Sequence, residues 1–376
     1  MWHYRLPALR AGAIQLEKVE KTMKSMAQTV LGPVDGDLLG FTLPHEHLVL
    51  DGSSIFSEPA AATDRYMAHA PLGWESLSWL RYHPYENLEN VRMLDEAEAI
   101  GELALFRNAG GGTLVDVTVR GIGRDPESLA RISRKTGVNI VMGTGLYTEA
   151  SLTAAYRNMS VDEMAAMFVE ELRQGVGSSG IRAGIIGEIA CNWPAAPTEL
   201  KAVQAAALAQ QETGVSISLH PGRNQQAPFH LVEVLRGAGA DLSRVIFCHT
   251  DARLRTPEDR VRLADEGCVL EYDLWGWEGH FPSYWTSDDH MDLPNDTDRI
   301  YEIAALIDHG HIERVVMSHD ICVRSRRVCW GGWGYMHIPT YVVPMMRKRG
   351  FTDARIRQLT VENPRRLLCI PASDSA

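Results

Sequence analysis

The sequence predicts an α/β fold of the (β/α)8 or TIM-barrel type, and three observations carry the prediction. Eight short, apolar, β-branched runs recur along the 376 residues, each of the kind buried on both faces of a parallel sheet. Helical patterns separate most of them, and no internal repeat divides the chain into two doubly wound halves. Polar residues interrupt the runs mainly at their C-terminal ends, the face on which such barrels gather their loops.

Residues 1–28 read as an N-terminal extension. Charges are spread through MWHYRLPALRAGAIQLEKVEKTMKSMAQ, and no continuous apolar stretch marks a secretory leader or a membrane span. Met23 or Met26 would serve equally as a start. Residues 29–370 hold the barrel. The first strand is FTLPHEH (41–47), where two histidines one residue apart on extended chain point to the same face and form a ready pair of metal ligands. A long insertion, 51–90, carries Gly, Ser, Pro and aromatics without sustained periodicity, and 91–108 reads as an amphipathic helix. GGTLVDVTV (111–119) is the second strand. DPESLARISRKTG follows as a helix with an Asp cap, Pro at its first position and Gly at its end. The remaining strands are NIVMGTGLY (139–147), RAGIIGEIA (182–190), VSISLHP (215–221), RVIFCHT (244–250), CVLEYDL (268–274) and RVVMSHD (314–320). Two connections, after the seventh and eighth strands, are long and aromatic, so the sequence predicts long loops at the C-terminal face. The segment from Trp275 to Asp298 is expected to act as a lid. Most of Trp275, Trp277, Trp285, Trp330 and Trp333 are expected to pack the loops onto the rim.

Composition narrows the function. A net charge of -11, from 37 basic and 48 acidic residues, argues against nucleic acid or an anionic membrane as partner. Six cysteines without CxxC spacing form neither a zinc ribbon nor a dithiol motif; free thiols in a cytoplasmic protein are the expectation. The expected partner is a small-molecule substrate, with a homodimer allowed.

The chemistry lies in where the polar residues fall. His45, His47, Glu188, His220, His249 and Asp320 stand at or beside the C-terminal ends of five strands, which converge on one mouth in a barrel. Singly, His220 or His249 reads as a hydrogen-bonded core histidine and Glu188 as an ion-pair partner. Jointly, four imidazoles and two carboxylates are donors enough for two divalent metal ions, zinc first among them, with Glu188 able to bridge.

These motifs, together with VLGPV, GTGLY, GIIGEIACNWP, HPGR, GGWGY and VENPRRLL in order, resemble the phosphotriesterase family of the amidohydrolase superfamily, in its phosphotriesterase-related branch, to which resiniferatoxin-binding proteins were also assigned. The resemblance runs from about Thr29 to Leu368. It implies that His45 and His47 bind the more buried metal, that His220 and His249 bind the more exposed one, and that Asp320 is a ligand touching a bridging hydroxide. Glu188 stands where the phosphotriesterases proper and related lactonases carry a carboxylated lysine. Charge is preserved but reach is shorter, so efficient organophosphate hydrolysis does not follow. The expected activity is hydrolysis of a carboxyl-derived bond, an amide or ester, by the metal-bridging hydroxide, with Asp320 as proton shuttle. Lactones or phosphotriesters are the alternative substrates, and a non-catalytic small-ligand binding protein is the alternative of another class. Tyr147, ending the third strand, reads either as an oxyanion hydrogen-bond donor or as a rim tyrosine bound to water. Arg223, three residues past His220, reads either as a bidentate contact to a substrate carboxylate or sulfonate or as a salt bridge to Asp251 or Glu278.

Overall fold

Each of the eight apolar runs finds a parallel neighbour in the next, and together they form one sheet. The computed structural model describes residues 25–281 and 291–370. Its barrel strands are Phe41–Glu46, Gly111–Asp116, Asn139–Thr144, Ile185–Ala190, Ile217–His220, Val245–Phe247, Val269–Tyr272 and Val315–Met317. They pair in sequence order, first to eighth, all parallel. The eighth strand returns to the first: Ser318 Oγ donates to the His45 carbonyl at 2.7 Å, and the Asp320 N–H points to the same oxygen at 3.3 Å. This is the expected (β/α)8 barrel.

Period-two alternation sorts the strand residues. Val115, Val141, Ile185, Ile246, Val269 and Val316 belong to one buried apolar cluster, with Val117, Ala27, Leu39, Leu367, Leu368 and Cys369. Their neighbours along each strand, such as Leu114, Ile140, Leu270 and Val315, pack instead with the surrounding helices. Each such fully buried Val or Ile contributes about 1.5–3 kcal/mol of apolar burial.

The helices start and stop where their caps dictate. Pro126–Thr136 begins after Asp125, whose carboxylate accepts the Ser128 N–H at 3.0 Å, and ends at Gly137 with φ 69°. Pro197–Thr213 likewise ends on Gly214, φ 70°. The helix expected over 91–108 begins later, at Glu96, because the Asp95 carboxylate caps the N–H groups of Ala97 and Glu98, while Arg92–Met93 pairs as a strand with Leu50–Asp51. The insertion 51–90 contains one α-helix, Trp74–Leu80, and two short helical turns. On Val161–Arg173, Glu171 is buried between two arginines. Arg124 grips it with two bonds of 2.7 and 2.8 Å, and Arg120 bonds it as well. Burial alone would raise its pKa, but the two guanidiniums hold it at about 2.

Residues 1–24, with Met23, lie outside the described residues. Met26–Thr29 is a strand pairing antiparallel with Gly32–Asp35 and with Cys369–Ile370, so the expected division after residue 28 falls within it. No helix among the described residues is long and apolar enough to cross a membrane.

Candidate metal centre

The inward face that is apolar low in the barrel becomes polar toward the mouth. Along the eighth strand it runs Val316, Ser318, Asp320, and along the seventh Val269, Glu271, Asp273. His249 and Asp320 leave their strands with φ of 56° and 49°, a conformation that non-glycine residues seldom adopt and that costs about 1–3 kcal/mol. Neighbours hold His249 there: its N–H donates to both Asp273 oxygens, each at 3.0 Å.

All six expected ligands meet at one point. His45 Nε2 lies 3.9 Å from Glu188 Oε2 and 3.6 Å from Asp320 Oδ1. His47 Nε2 lies 3.5 Å from Glu188 Oε1 and 3.3 Å from Asp320 Oδ1. His220 Nδ1 is 2.8 Å from Glu188 Oε2 and 2.9 Å from His249 Nε2. Glu188 therefore turns one oxygen toward His47 and the other toward His220.

The donor set fits a metal. Nitrogen and oxygen ligands tetrahedrally disposed at zinc distances, about 2.1 Å, stand roughly 3.4 Å apart. The four contacts of His45 and His47 with the two carboxylates scatter around that spacing. His45 Nε2 is buried without a hydrogen-bond partner, an expensive arrangement for a polar atom unless a cation takes its lone pair. Three donor groups that share His45 lie close enough to hold an ion: His45–His47–Asp320 and His45–Glu188–His249 on its Nε2 side, and His45–Cys248–Glu271–Asp273 on its Nδ1 side.

Charge tells the same story. Burial would lower both His45 and His47, yet Cys248, Asp273 and Asp320 raise His45 well above its usual value, and Asp320 and Glu188 raise His47. Burial would raise both carboxylates; the neighbouring His45 and His47 hold Asp320 well below the usual range, and His220 holds Glu188 down. Burial depresses His220 and His249, leaving them neutral. Without metal, the protons on His45 and His47 occupy the electrostatic place of cations.

Access is one-sided. The side chains of His220 and Asp320 are 20% and 11% exposed, against 3% or less for the other four, so substrate and solvent approach over these two.

The supporting shell was not foreseen from sequence. Asp273 Oδ1 lies 2.9 Å from His249 Nδ1 and its Oδ2 3.4 Å from His45 Nδ1, which directs Nε2 of both rings into the cluster. Cys248 Sγ and Glu271 also approach His45 Nδ1, at 3.2 and 3.4 Å. Thr118 Oγ1 meets His47 Nδ1 at 2.9 Å. Glu46, between the two ligand histidines, accepts from Ser318 Oγ and from the N–H groups of His319 and Ile321 at 2.8–3.0 Å, tying the first strand to the loop that carries Asp320. Strict alternation in CVLEYDL would have placed Glu271 and Asp273 on the inner face.

Tyr147 comes to the centre, its ring edge-on to His220 with centroids 5.7 Å apart. Burial and the charge of Glu188 push its phenol well above its ordinary pKa, so it remains a donor. Arg223 is half-buried and close enough to Tyr147 to act on it electrostatically. Of the two alternative partners, Asp251 bonds Arg299 Nε at 2.7 Å, and Glu278 faces the Asp296 N–H. Within the expected lid, Trp275 and Trp277 are buried against the rim, and Gly279–Phe281 pairs with Met291–Leu293. Residues 282–290, including Trp285, lie outside the described residues. Trp330 is half-buried and Trp333 exposed. Of the six free cysteines, five are buried and Cys329 is exposed.

The chain is similar to known proteins over most of its length. The profile of the phosphotriesterase family matches residues 25–368. A phosphotriesterase-related protein of Nematostella vectensis is 40% identical over 343 residues, covering 90% of this chain and 97% of that protein. The N-acetyltaurine hydrolase of Xenopus tropicalis is 38% identical over 348 residues, covering 92% and 99%. The crystal structure of a resiniferatoxin-binding protein from Rhodobacter sphaeroides superposes with a TM-score of 0.87 at 35% identity, covering 91% of this chain and 94% of that one.

Proposed function

This chain belongs to the phosphotriesterase family, a family of hydrolases, and we propose that within it the protein is a binuclear metal-dependent amidase for a small anionic N-acyl compound of the N-acetyltaurine type. The observation that carries the reading is Glu188, a buried carboxylate with its two oxygens turned to separate histidines. His45, His47 and Asp320 would hold one ion and His220 and His249 the other, with Glu188 shared; zinc suits this nitrogen and oxygen set. Bound there, such ions lower the pKa of water and polarise a carbonyl.

The chain's own groups supply the rest. Asp320 is ionised and is the cluster's more exposed carboxylate, placed to take the proton of the attacking water and return it to the departing amine. Tyr147, protonated and beside His220, donates to the carbonyl oxygen as negative charge develops on it. Arg223 adds positive charge on the same side and attracts an anionic substrate. Asp273 keeps His45 and His249 oriented through the cycle. With N-acetyltaurine, water adds to the acyl carbon, the C–N bond breaks, and acetate and the aminosulfonate leave.

The test is metal analysis of the purified protein, with a hydrolysis screen of the reconstituted protein over N-acyl amino acids and amines, esters, lactones and phosphotriesters. Two ions per chain and metal-stimulated amide cleavage are expected. A protein without bound metal or metal-stimulated hydrolysis is the small-ligand binding module instead. Faster turnover of lactones or triesters moves the substrate within the family.

A further inference from the structure

Four arginines gather around the loops that follow the seventh and eighth strands, and three of them are neutralised. Arg299 bonds Asp251 at 2.7 Å and Asp296 at 3.0 Å. Arg324 bonds Glu89 at 2.6 Å and Glu98 at 2.8 Å, and Arg327 bonds Glu98 at 2.9 Å. Arg326 has no carboxylate partner among the described residues. Its Nη1 donates to the Gly276 carbonyl at 3.2 Å, and its guanidinium carbon sits 3.9 Å from the centre of the Trp277 ring. Burial pulls its pKa down to about 10, and the cations Arg81 and Arg299 act in the same direction. A half-buried guanidinium held by one carbonyl and one ring face lacks an anionic partner, and an anion is what completes it.

Its surroundings lead to the metal centre. The Trp277 indole N–H donates to the His319 carbonyl at 3.0 Å, which fixes the ring on which Arg326 stacks. Tyr85 stacks parallel to Trp277, 6.4 Å between centroids, and its hydroxyl lies 3.6 Å from Cys322 Sγ. Cys322 in turn hydrogen-bonds through its N–H to the Asp320 carbonyl at 2.9 Å. Stacking holds the guanidinium plane and leaves its edge for paired hydrogen bonds, a geometry that suits a sulfonate or carboxylate.

We propose that Arg326 is the specificity-determining residue for the substrate's anionic end, bonding the sulfonate or carboxylate of the amine part while the amide lies at the cluster of His45, Glu188 and Asp320. This rests on the anionic-amide reading above and adds a second contact to the one expected of Arg223. Tyr85, half-buried and stacked on the buried Trp277, would give the tether between the two ends an apolar contact.

The experiment is calorimetric binding of N-acetyltaurine and of its neutral counterpart N-(2-hydroxyethyl)acetamide, each with its amide N–H replaced by CH2 so that it is not hydrolysed, to the metal-loaded full chain, for the wild type and for Arg326→Gln, Arg326→Lys and Arg223→Ala. Arg326→Gln is expected to weaken the anionic ligand by about ten- to hundred-fold, the range for a hydrogen bond to a charged group, and the neutral ligand by less than about threefold. Arg326→Lys restores part of the loss. Equal losses for both ligands overturn the assignment. So does a wild type without preference for the anion, or a preference abolished by Arg223→Ala and untouched by Arg326→Gln. A measurement independent of mutation uses phenylglyoxal labelling read by mass spectrometry: the anionic ligand protects Arg326 and the neutral ligand does not, and absence of protection overturns the proposal. Turnover is scored separately. Selective binding through Arg326 without hydrolysis would refute the amidase reading and leave the anion contact standing.

Discussion

Glu188→Gln isolates the bridging role proposed for this carboxylate. Glutamine keeps the volume and one carbonyl oxygen, so packing at this buried site is nearly unchanged; what disappears is the negative charge and the second acceptor. In the wild type one oxygen lies 3.5 Å from His47 and the other 2.8 Å from His220, so each half of the cluster loses half of a shared anion. Only Asp320 then remains as a carboxylate among the six ligands, and two divalent ions at one carboxylate repel each other with little between them. Occupancy is expected to fall from two ions per chain to one or none. The stability consequence follows from linkage: a ligand present at a thousand times its dissociation constant stabilises the folded state by about 4 kcal/mol per site. Chelation should therefore lower wild-type stability by several kcal/mol and the variant's by about half as much or less. The assays are elemental analysis after dialysis and denaturant unfolding with and without chelator. A variant that retains two ions and the full chelator-sensitive increment would refute the bridge.

Other perturbations test separate parts of the site. Asp320→Asn should cut kcat by at least about a hundred-fold with a smaller change in KM, the pattern of a group needed mainly in the transition state; an unchanged kcat removes it from proton transfer. His45 and His47 both titrate above 6.5 in the metal-free protein, so they release protons on coordination, and metal affinity should climb as pH rises past 6.5. Calorimetry in buffers of differing ionisation enthalpy measures that release, and its absence would mean that the histidines are already neutral. Glu171 has a folded pKa near 2 against 4.5 unperturbed, so its contribution is complete above 4.5 and fades as pH falls through about 2. Glu171→Gln should cost about 3 kcal/mol near neutrality and progressively less below pH 4.5; a pH-independent cost would assign the effect to packing.

The parts of this protein legible in its sequence are those written in local periodicity. The eight strands are contiguous apolar runs, and the six residues that cluster at the mouth are polar residues at the ends of those runs, so both could be placed without knowing what packs against what. The helix at 96–108 was misplaced at its start because a five-residue extended lead-in, ended by the Asp95 cap, carries apolar residues in near-helical spacing. Alternation along CVLEYDL fixes the face of Asp273 and Glu271, but only the fold shows that they meet Nδ1 of the ligand histidines. Arg326 is of another kind. In RSRRVCWGG it is one of three arginines in four residues, indistinguishable by spacing from Arg324 and Arg327. Those two meet Glu98 from a helix more than two hundred residues away in the chain, whereas Arg326 meets Trp277 from the loop after the preceding strand. Which of the three is left without an acid is decided only by how two long loops cross at the mouth. A barrel fixes its ligands through strand ends and leaves its substrate contacts to such crossings, so the reaction class can be read from the sequence while the identity of the substrate cannot.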